Sequence, residues 1–377
     1  MTPKIARFLE RERPETPCLI VDLDVIDANY RALREALPLA AIYYAVKANP
    51  ARPILETLVG LGSCFDAASA WEVDQCLAAG AVPEQISYGN TVKKRRDIAH
   101  AFDRGVRLYA FDSLAELEKL AEEAPGSKVY CRILTMSEDA QWPLSRKFGC
   151  SLEMARDLML RALDLGLDAY GLSFHVGSQQ TNPRWWDVAI GRCAMVFSDL
   201  REAGLDLRML NLGGGFPARY RGDRLPPLDQ FAAAIMTSVN QCFGNRRPDL
   251  IIEPGRSIAA EAGVIRTEVL VVAQKDYNDD TRWVYFDVGK FGGLAETMDE
   301  AIKYPIVTAH DGGREGPVKI AGPTCDGADI LYEKSPYTLP LALRSGDTVD
   351  LLSAGAYTSV YAAARFNGFA PMAEYYI

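Results

Sequence analysis

Short apolar runs alternate with amphipathic stretches over the first two thirds of the chain. The runs are AIYYAV (41–46), GSCFDA (62–67), QISYG (85–89), RLYAF (107–111), KVYCRIL (128–134), AYGLSFHV (169–176), RMLNL (208–212) and LIIEP (250–254). Each has strand length and is rich in aromatic and aliphatic residues, whereas the segments between them carry helical periodicity. Examples are SLAELEKLAEEA from Ser113 and DVAIGRCAMVFSDLREAG from Asp187. Ser113 with Glu116 three residues on has the form of a capping box. Eight strands alternating with helices predict an α/β fold, a parallel (β/α)8 barrel over residues 20–258.

From about residue 260 the pattern changes. TEVLVVAQ, TRWVYFDV, YPIVTAH, PVKIAG and DTVDLLSAG follow one another with turn residues and little helix between them. This predicts a C-terminal antiparallel β-domain over 259–377. Residues 1–19 join it, because TPCLIVDL reads as a strand ahead of a barrel helix that starts near Asp24.

Composition narrows the partners. With 377 residues, 49% hydrophobic and 24% charged, the chain is large enough for a barrel and a second domain. The net charge of −9 disfavours nucleic acid and anionic membrane, which need clustered cations, and suits a cationic substrate. Cys18, Cys64, Cys76, Cys131, Cys150, Cys193, Cys242 and Cys325 form no CxxC pair. Only His100, His175 and His310 are available as imidazole ligands, so no metal site is expected. The opening MTPKIARFLERERPETP has no apolar stretch behind its basic residues, and no run of 18 apolar residues follows. A reduced, cytoplasmic protein is the expectation.

Unusual residues fall at the ends of the strands, where barrels of this kind carry their chemistry. Lys47 follows the first strand; a partly buried lysine there could be an amine nucleophile with a lowered pKa or a snorkelling cation. NLGGGFP, with Gly213, Gly214 and Gly215, exposes backbone N–H groups to a phosphate or makes a plain turn. It is neither a Walker loop nor a GxGxxG fingerprint. Glu253, in IIEPGRS, could meet a ring nitrogen or pair with Arg256. His175 and Ser178 lie in SFHVGSQ, His175 fitting either a ring-stacking or a structural role.

AVKAN, HVGSQ, NLGGGFP, EPGRS, GPTCDGAD and GAYT together, in this order and spacing, resemble the fold type III (alanine-racemase-like) pyridoxal-phosphate decarboxylases, in particular the bacterial ornithine/lysine decarboxylases. The similarity runs from Thr16 to Phe369. It implies that pyridoxal 5'-phosphate is the cofactor and that Lys47 carries it as a Schiff base. It further implies that Glu253 pairs with the ring nitrogen and His175 stacks on the ring. Ser178, Gly213 to Gly215, Gly255, Arg256 and Tyr357 would hold the phosphate. Asp66 and Arg132 would order the region around Lys47, with Glu72 nearby.

The same resemblance implies a homodimer with shared active sites. Cys325 and Asp326 would enter the partner's site, the thiol reprotonating the substrate α-carbon and the carboxylate binding the distal ammonium. Lys147 and Asp329 would pair across the interface, and Tyr357 and Phe366 would line the substrate slot. Glu296, Asp299 and Glu300 occupy the region of a substrate-reading helix, and spacing puts Glu296 and Glu300 on one face of a turn. The long polar segment 135–146 is expected to act as a lid. Diaminopimelate decarboxylases carry Cys-Glu-Ser where this chain has Cys325-Asp326-Gly327, and racemases of this fold place arginine where Glu253 stands. A binding-only relative would not need Lys47, Cys325 and Asp326 together. The implied activity is therefore decarboxylation of L-ornithine to putrescine, of L-lysine to cadaverine, or both, with arginine a further candidate.

Overall fold

The computed structural model describes residues 1–135 and 147–377. A first strand, β1 (Cys18–Val21), precedes eight more: β2 (Ala40–Ala45), β3 (Cys64–Ala67), β4 (Ile86–Tyr88), β5 (Leu108–Phe111), β6 (Lys128–Arg132), β7 (Asp168–Ser173), β8 (Met209–Asn211) and β9 (Asp249–Ile252). Strands β2 to β9 pair in parallel, in sequence order, and β9 closes on β2. The eight apolar runs are thus the eight staves of the barrel.

Three of the helices between the strands start on side-chain caps. Ser69, Ser113 and Ser151 each accept a hydrogen bond from the backbone N–H three residues on. The expected capping box at Ser113 is only half used. The Glu116 carboxylate lies instead 3.0 Å from Nζ of Lys93 and 2.5 Å from that of Lys119. Lys93 is buried and also donates to the Asn90 and Ala110 carbonyls at 2.7 Å. Burial pulls its pKa down to about 8 against the raising effect of Glu116.

Residues Met1–Ile26, Ala218–Asp223 and Ile258–Ile377 form one compact unit; Asp27–Pro217 with Arg224–Ser257 form the other, which holds the barrel. The first unit contains β10 (Gly263–Ala273), β11 (Arg282–Phe286), β12 (Ile306–Thr308), β13 (Glu315–Ala321), β14 (Ile330–Pro340), β15 (Thr348–Leu352) and β16 (Ala373–Tyr376). They run in the order β12-β15-β10-β11-β13-β14, with β1 between β10 and β16. The expected antiparallel arrangement holds for most pairs, but β11 with β13 and β1 with β16 are parallel. Strand β14 was hidden in the sequence because ILYEKSPYTLP carries charges and Pro336; the register shifts in its pairing with β13 accommodate the proline. Helix Pro3–Glu12 lays Ile5 and Leu9 on Cys18, Ile20 and Val264.

Candidate active site

Inside the barrel, Tyr43, Leu108, Ala110, Tyr130, Met209 and Ile251 pack as a core, with Cys64 against it. Side chains alternate along a strand, so residues two further on share the inward face. Beyond Cys64, Tyr130, Met209 and Ile251 those residues are Asp66, Arg132, Asn211 and Glu253. The strands thus stack a polar layer on an apolar one, at their C-terminal ends.

That layer is electrostatically coupled. Burial drives the Asp66 carboxyl well above the usual carboxylate range; the charge of Glu253 raises it further, while Lys47 and Arg132 oppose. Asp66 Oδ2 is 3.9 Å from Lys47 Nζ, and Oδ1 is buried with no hydrogen-bond partner among the described residues. Burial lowers the Arg132 guanidinium, against the pull of Glu253, Asp112 and Asp66. Its charge centre lies 5.0 Å from the Phe148 ring. Glu72 is raised by burial, while the Ala68 N–H, which donates to its Oε2 at 2.6 Å, pulls the other way.

His175 lies just past β7. Burial, then the nearby Arg132 and Lys47 charges, hold its pKa well below the ordinary imidazole value. Its Nδ1 accepts from the Gly177 N–H at 3.0 Å. The neutral ring therefore carries its proton on Nε2. Glu253 Oε1 accepts from Asn211 Nδ2, and Arg256, buried, donates through Nη2 to Ser178 Oγ at 3.1 Å. Gly255 precedes that arginine at the start of the short helix Arg256–Ala259.

The triple glycine is required by close approach. A Cβ on Gly213 would sit 2.1 Å from the Phe174 carbonyl oxygen, one on Gly214 2.5 Å from that of Glu253, and one on Gly215 2.5 Å from that of Gly177. Gly213 and Gly215 also take φ of +66° and +99°. The turn is thus packed directly on the segments that carry His175 and Glu253.

Several expectations need correction. Lys47 is more open than a strand-end lysine packed into the core: the chain leaves β2 in the 3-10 turn Val46–Ala48, burying Val46 and Ala48 and leaving the lysine side chain 44% accessible. Glu296 and Glu300 do not share a helical face, because Met298 and Asp299 break the turn, Asp299 with φ of +52°. Glu296 is buried. Glu300 accepts the backbone N–H groups of Glu333, Lys334 and Ser335 at 2.8, 2.6 and 2.6 Å, and these bonds hold its pKa below the usual value despite burial. It secures β14 and is not free to read a substrate. Asp329 is buried and accepts from the Lys290 and Thr324 N–H groups and the Thr324 hydroxyl. It therefore fastens the loop carrying Cys325 within its own chain. Lys147 lies against the Phe148 ring. Of the expected lid only Thr135, donating to the His175 carbonyl at 2.7 Å, is described; residues 136–146 lie outside the described residues.

In the other unit Cys325 and Asp326 are exposed, the Cys325 N–H bonded to Asn367 Oδ1 at 2.9 Å and the Asp326 carboxylate to the Ala328 N–H at 2.8 Å. The Phe366 ring lies 4.8 Å from that of Phe291, tilted by 44°. Tyr357 holds φ of +55°, a conformation costing about 1–3 kcal/mol for such a residue. Reading the sequence motif by motif passed over Asn211, Gly89 and Tyr130. The period-two alternation that places Glu253 also places Asn211, and Tyr130 Oη meets Ser87 Oγ at 2.8 Å one layer below.

A parallel barrel whose strand ends carry an accessible lysine, a held carboxylate, a buried neutral histidine and a glycine turn beside Ser178 and Arg256 defines a pyridoxal-phosphate barrel. The unpartnered Asp66 Oδ1, the glycine turn and this donor set fit that cofactor. Residues 23–260 match the family model described as pyridoxal-dependent decarboxylase, pyridoxal binding domain. The chain is 36% identical over 371 residues to a lysine/ornithine decarboxylase of Selenomonas ruminantium, covering 98% of this chain and 91% of that one. The lysine/ornithine decarboxylase of Vibrio vulnificus, solved with cadaverine, matches with a TM-score of 0.88 at 33% identity, over 99% of this chain and 97% of that one. The Paramecium bursaria Chlorella virus arginine decarboxylase matches with a TM-score of 0.91 at 28% identity, over 100% of both chains. The chain belongs to the pyridoxal-dependent decarboxylases of fold type III, and its cofactor is pyridoxal phosphate.

Proposed function

We propose that the protein decarboxylates a basic L-amino acid, L-ornithine to putrescine and L-lysine to cadaverine, as a step of polyamine biosynthesis. The observation that carries this reading is the coupled layer of Lys47, Asp66, Arg132, His175 and Glu253 at the barrel mouth, in a chain similar over nearly its whole length to lysine/ornithine decarboxylases. When bound, pyridoxal phosphate supplies the electron sink for the bond from the α-carbon to the carboxylate.

The residues divide the remaining work. Lys47 would hold the cofactor covalently through Nζ. Glu253 would pair with the ring nitrogen, and His175 would pack against the cofactor ring. The N–H groups of Gly213 to Gly215 and Gly255, with Ser178, Arg256 and Tyr357, bind the phosphate. Asp66 and Glu72 balance the charge of Lys47, and Arg132 balances theirs. Cys325 delivers the proton to the α-carbon, while Asp326 receives the distal ammonium, with Phe366 lining the slot and Glu296 contributing negative charge behind it.

Cys325, Asp326 and Phe366 are accessible on the single chain, which supports a homodimer in which they complete the partner's site. Mixing Lys47→Ala with Cys325→Ala protein should restore activity that neither has alone; no restoration argues against shared sites. All eight cysteines are free, and among the described residues no helix is long and apolar enough to cross a membrane. The free thiols support a cytoplasmic setting. Ornithine and lysine differ by one methylene, worth about 1–3 kcal/mol in a pocket, so activity on both is expected. The assignment of Lys47 is tested by borohydride reduction of the loaded protein and peptide mapping. Label on the Lys47 peptide is expected, and label elsewhere would overturn the assignment.

A further inference from the structure

Asn211 is the last residue of β8, buried at 1% exposure, between the two parts of the site that must act together. Its Nδ2 donates to Glu253 Oε1, and its Oδ1 accepts from the Gly213 N–H at 2.9 Å. The two bonds fix the amide's orientation, since only the oxygen can accept from a backbone N–H and only the nitrogen can donate to a carboxylate. The Glu253 N–H in turn donates to the Gly213 carbonyl at 2.9 Å. A closed loop results, from the Glu253 carboxylate through Asn211 to the Gly213 backbone and back to the Glu253 backbone. The carboxylate that meets a ring nitrogen and the turn that meets a phosphate are thereby held at one fixed spacing.

We infer that Asn211 is a positioning residue: through one side-chain amide it aims the Glu253 carboxylate and sets the glycine turn, so that ring and phosphate of the cofactor are registered together. This rests on the reading of the barrel mouth as the cofactor site. The amide is also neutral, so it donates to Glu253 without adding a charge to a layer that already holds Asp66 and Glu253.

The test compares Asn211→Ala and Asn211→Ser with the wild type, all refolded or expressed as the full chain and titrated with pyridoxal phosphate. Four readouts are taken: cofactor Kd, the pH dependence of the bound cofactor's visible band, its phosphorus NMR shift, and kcat against KM for the best substrate. Loss of a charge-assisted bond predicts a kcat about ten- to a hundredfold lower with KM changed by less than about threefold. Cofactor Kd should rise by about tenfold or more, and both the band's pH midpoint and the phosphorus shift should move. Asn211→Ser, which keeps one acceptor for Gly213, should restore the phosphorus shift but not the band. A folded Asn211→Ala enzyme with lower thermal stability but unchanged band, phosphorus shift and kcat would overturn the inference. Failure of the wild type itself to develop a visible band would instead overturn the underlying site reading, so the two failures are distinguishable.

Discussion

Gly89, just past β4, is a glycine because the Asp66 carboxylate occupies the space a side chain would need. A Cβ there would lie 1.8 Å from Asp66 Oδ1, 2.8 Å from its Cγ and 3.3 Å from Oδ2. Gly89 does not have a positive φ, so the backbone itself tolerates alanine. In Gly89→Ala the carboxylate must move by about 1 Å or more inside a packed layer where it is only 3% exposed. Overpacking of that kind costs about 1–3 kcal/mol. We expect about 2 kcal/mol in urea unfolding of the barrel followed by tryptophan fluorescence, with weakened cofactor binding as Asp66 leaves Lys47. In an Asp66→Ala background the obstruction is gone, and the same substitution should cost less than about 0.5 kcal/mol. Asp66→Ala alone should be mild, because it removes a carboxyl whose burial already disfavours its charge. The sign of that last effect depends on pH. The folded-state pKa of Asp66 is raised, so its ionisation costs the wild type stability as pH rises above the unfolded value, and the variant should show a flatter profile. Equal losses for Gly89→Ala in both backgrounds would refute the steric account.

Other substitutions probe different parts of the frame. His175 should remain neutral, so its side-chain NMR signals should hold steady from pH 8 to about 6 in the folded protein; a titration midpoint near 6.5 would contradict the buried tautomer. Lys93→Met should destabilise by about 3–5 kcal/mol near pH 7, because Glu116 and two carbonyls lose their buried donor. With a folded pKa of about 8 below its unfolded value, Lys93 costs the wild type most below pH 8. That cost is relieved as pH rises toward about 10.5, a gain that unfolding curves of Lys93→Met should lack. Glu300→Gln should cost about 1–2 kcal/mol through its three N–H bonds while changing the ornithine-to-lysine kcat/KM ratio less than about threefold. A large change in that ratio would return Glu300 to the substrate site.

The barrel was legible because a parallel strand buried on both faces is a short apolar run, and eight such runs stand between helical segments. Lys47, Arg132, His175 and Glu253 were legible because each stands at or just past the end of an apolar run. What escaped had a physical reason. Asn211 and Tyr130 are ordinary residues inside apolar strands, and their use depends on which neighbours the closed barrel brings across its interior. Glu300 is an acidic residue in a polar segment, where spacing cannot tell a carboxylate facing a substrate from one saturated by backbone N–H groups. Glu116 shows the same limit on a helix: Ser113 caps as its position predicts, but the glutamate turns to a lysine twenty-three residues earlier in the chain. Strand β14 was masked by Pro336 and its charges, which a bulged strand with one exposed face tolerates.

The central claim is tested most directly by measuring CO2 release from L-ornithine, L-lysine, L-arginine and meso-diaminopimelate by the enzyme loaded with pyridoxal phosphate, compared by kcat/KM, with Lys47→Ala alongside. The account predicts rapid release from ornithine, lysine or both, little from diaminopimelate, and no steady turnover by the variant. Release from diaminopimelate alone, or near-normal amine production by Lys47→Ala, would contradict it.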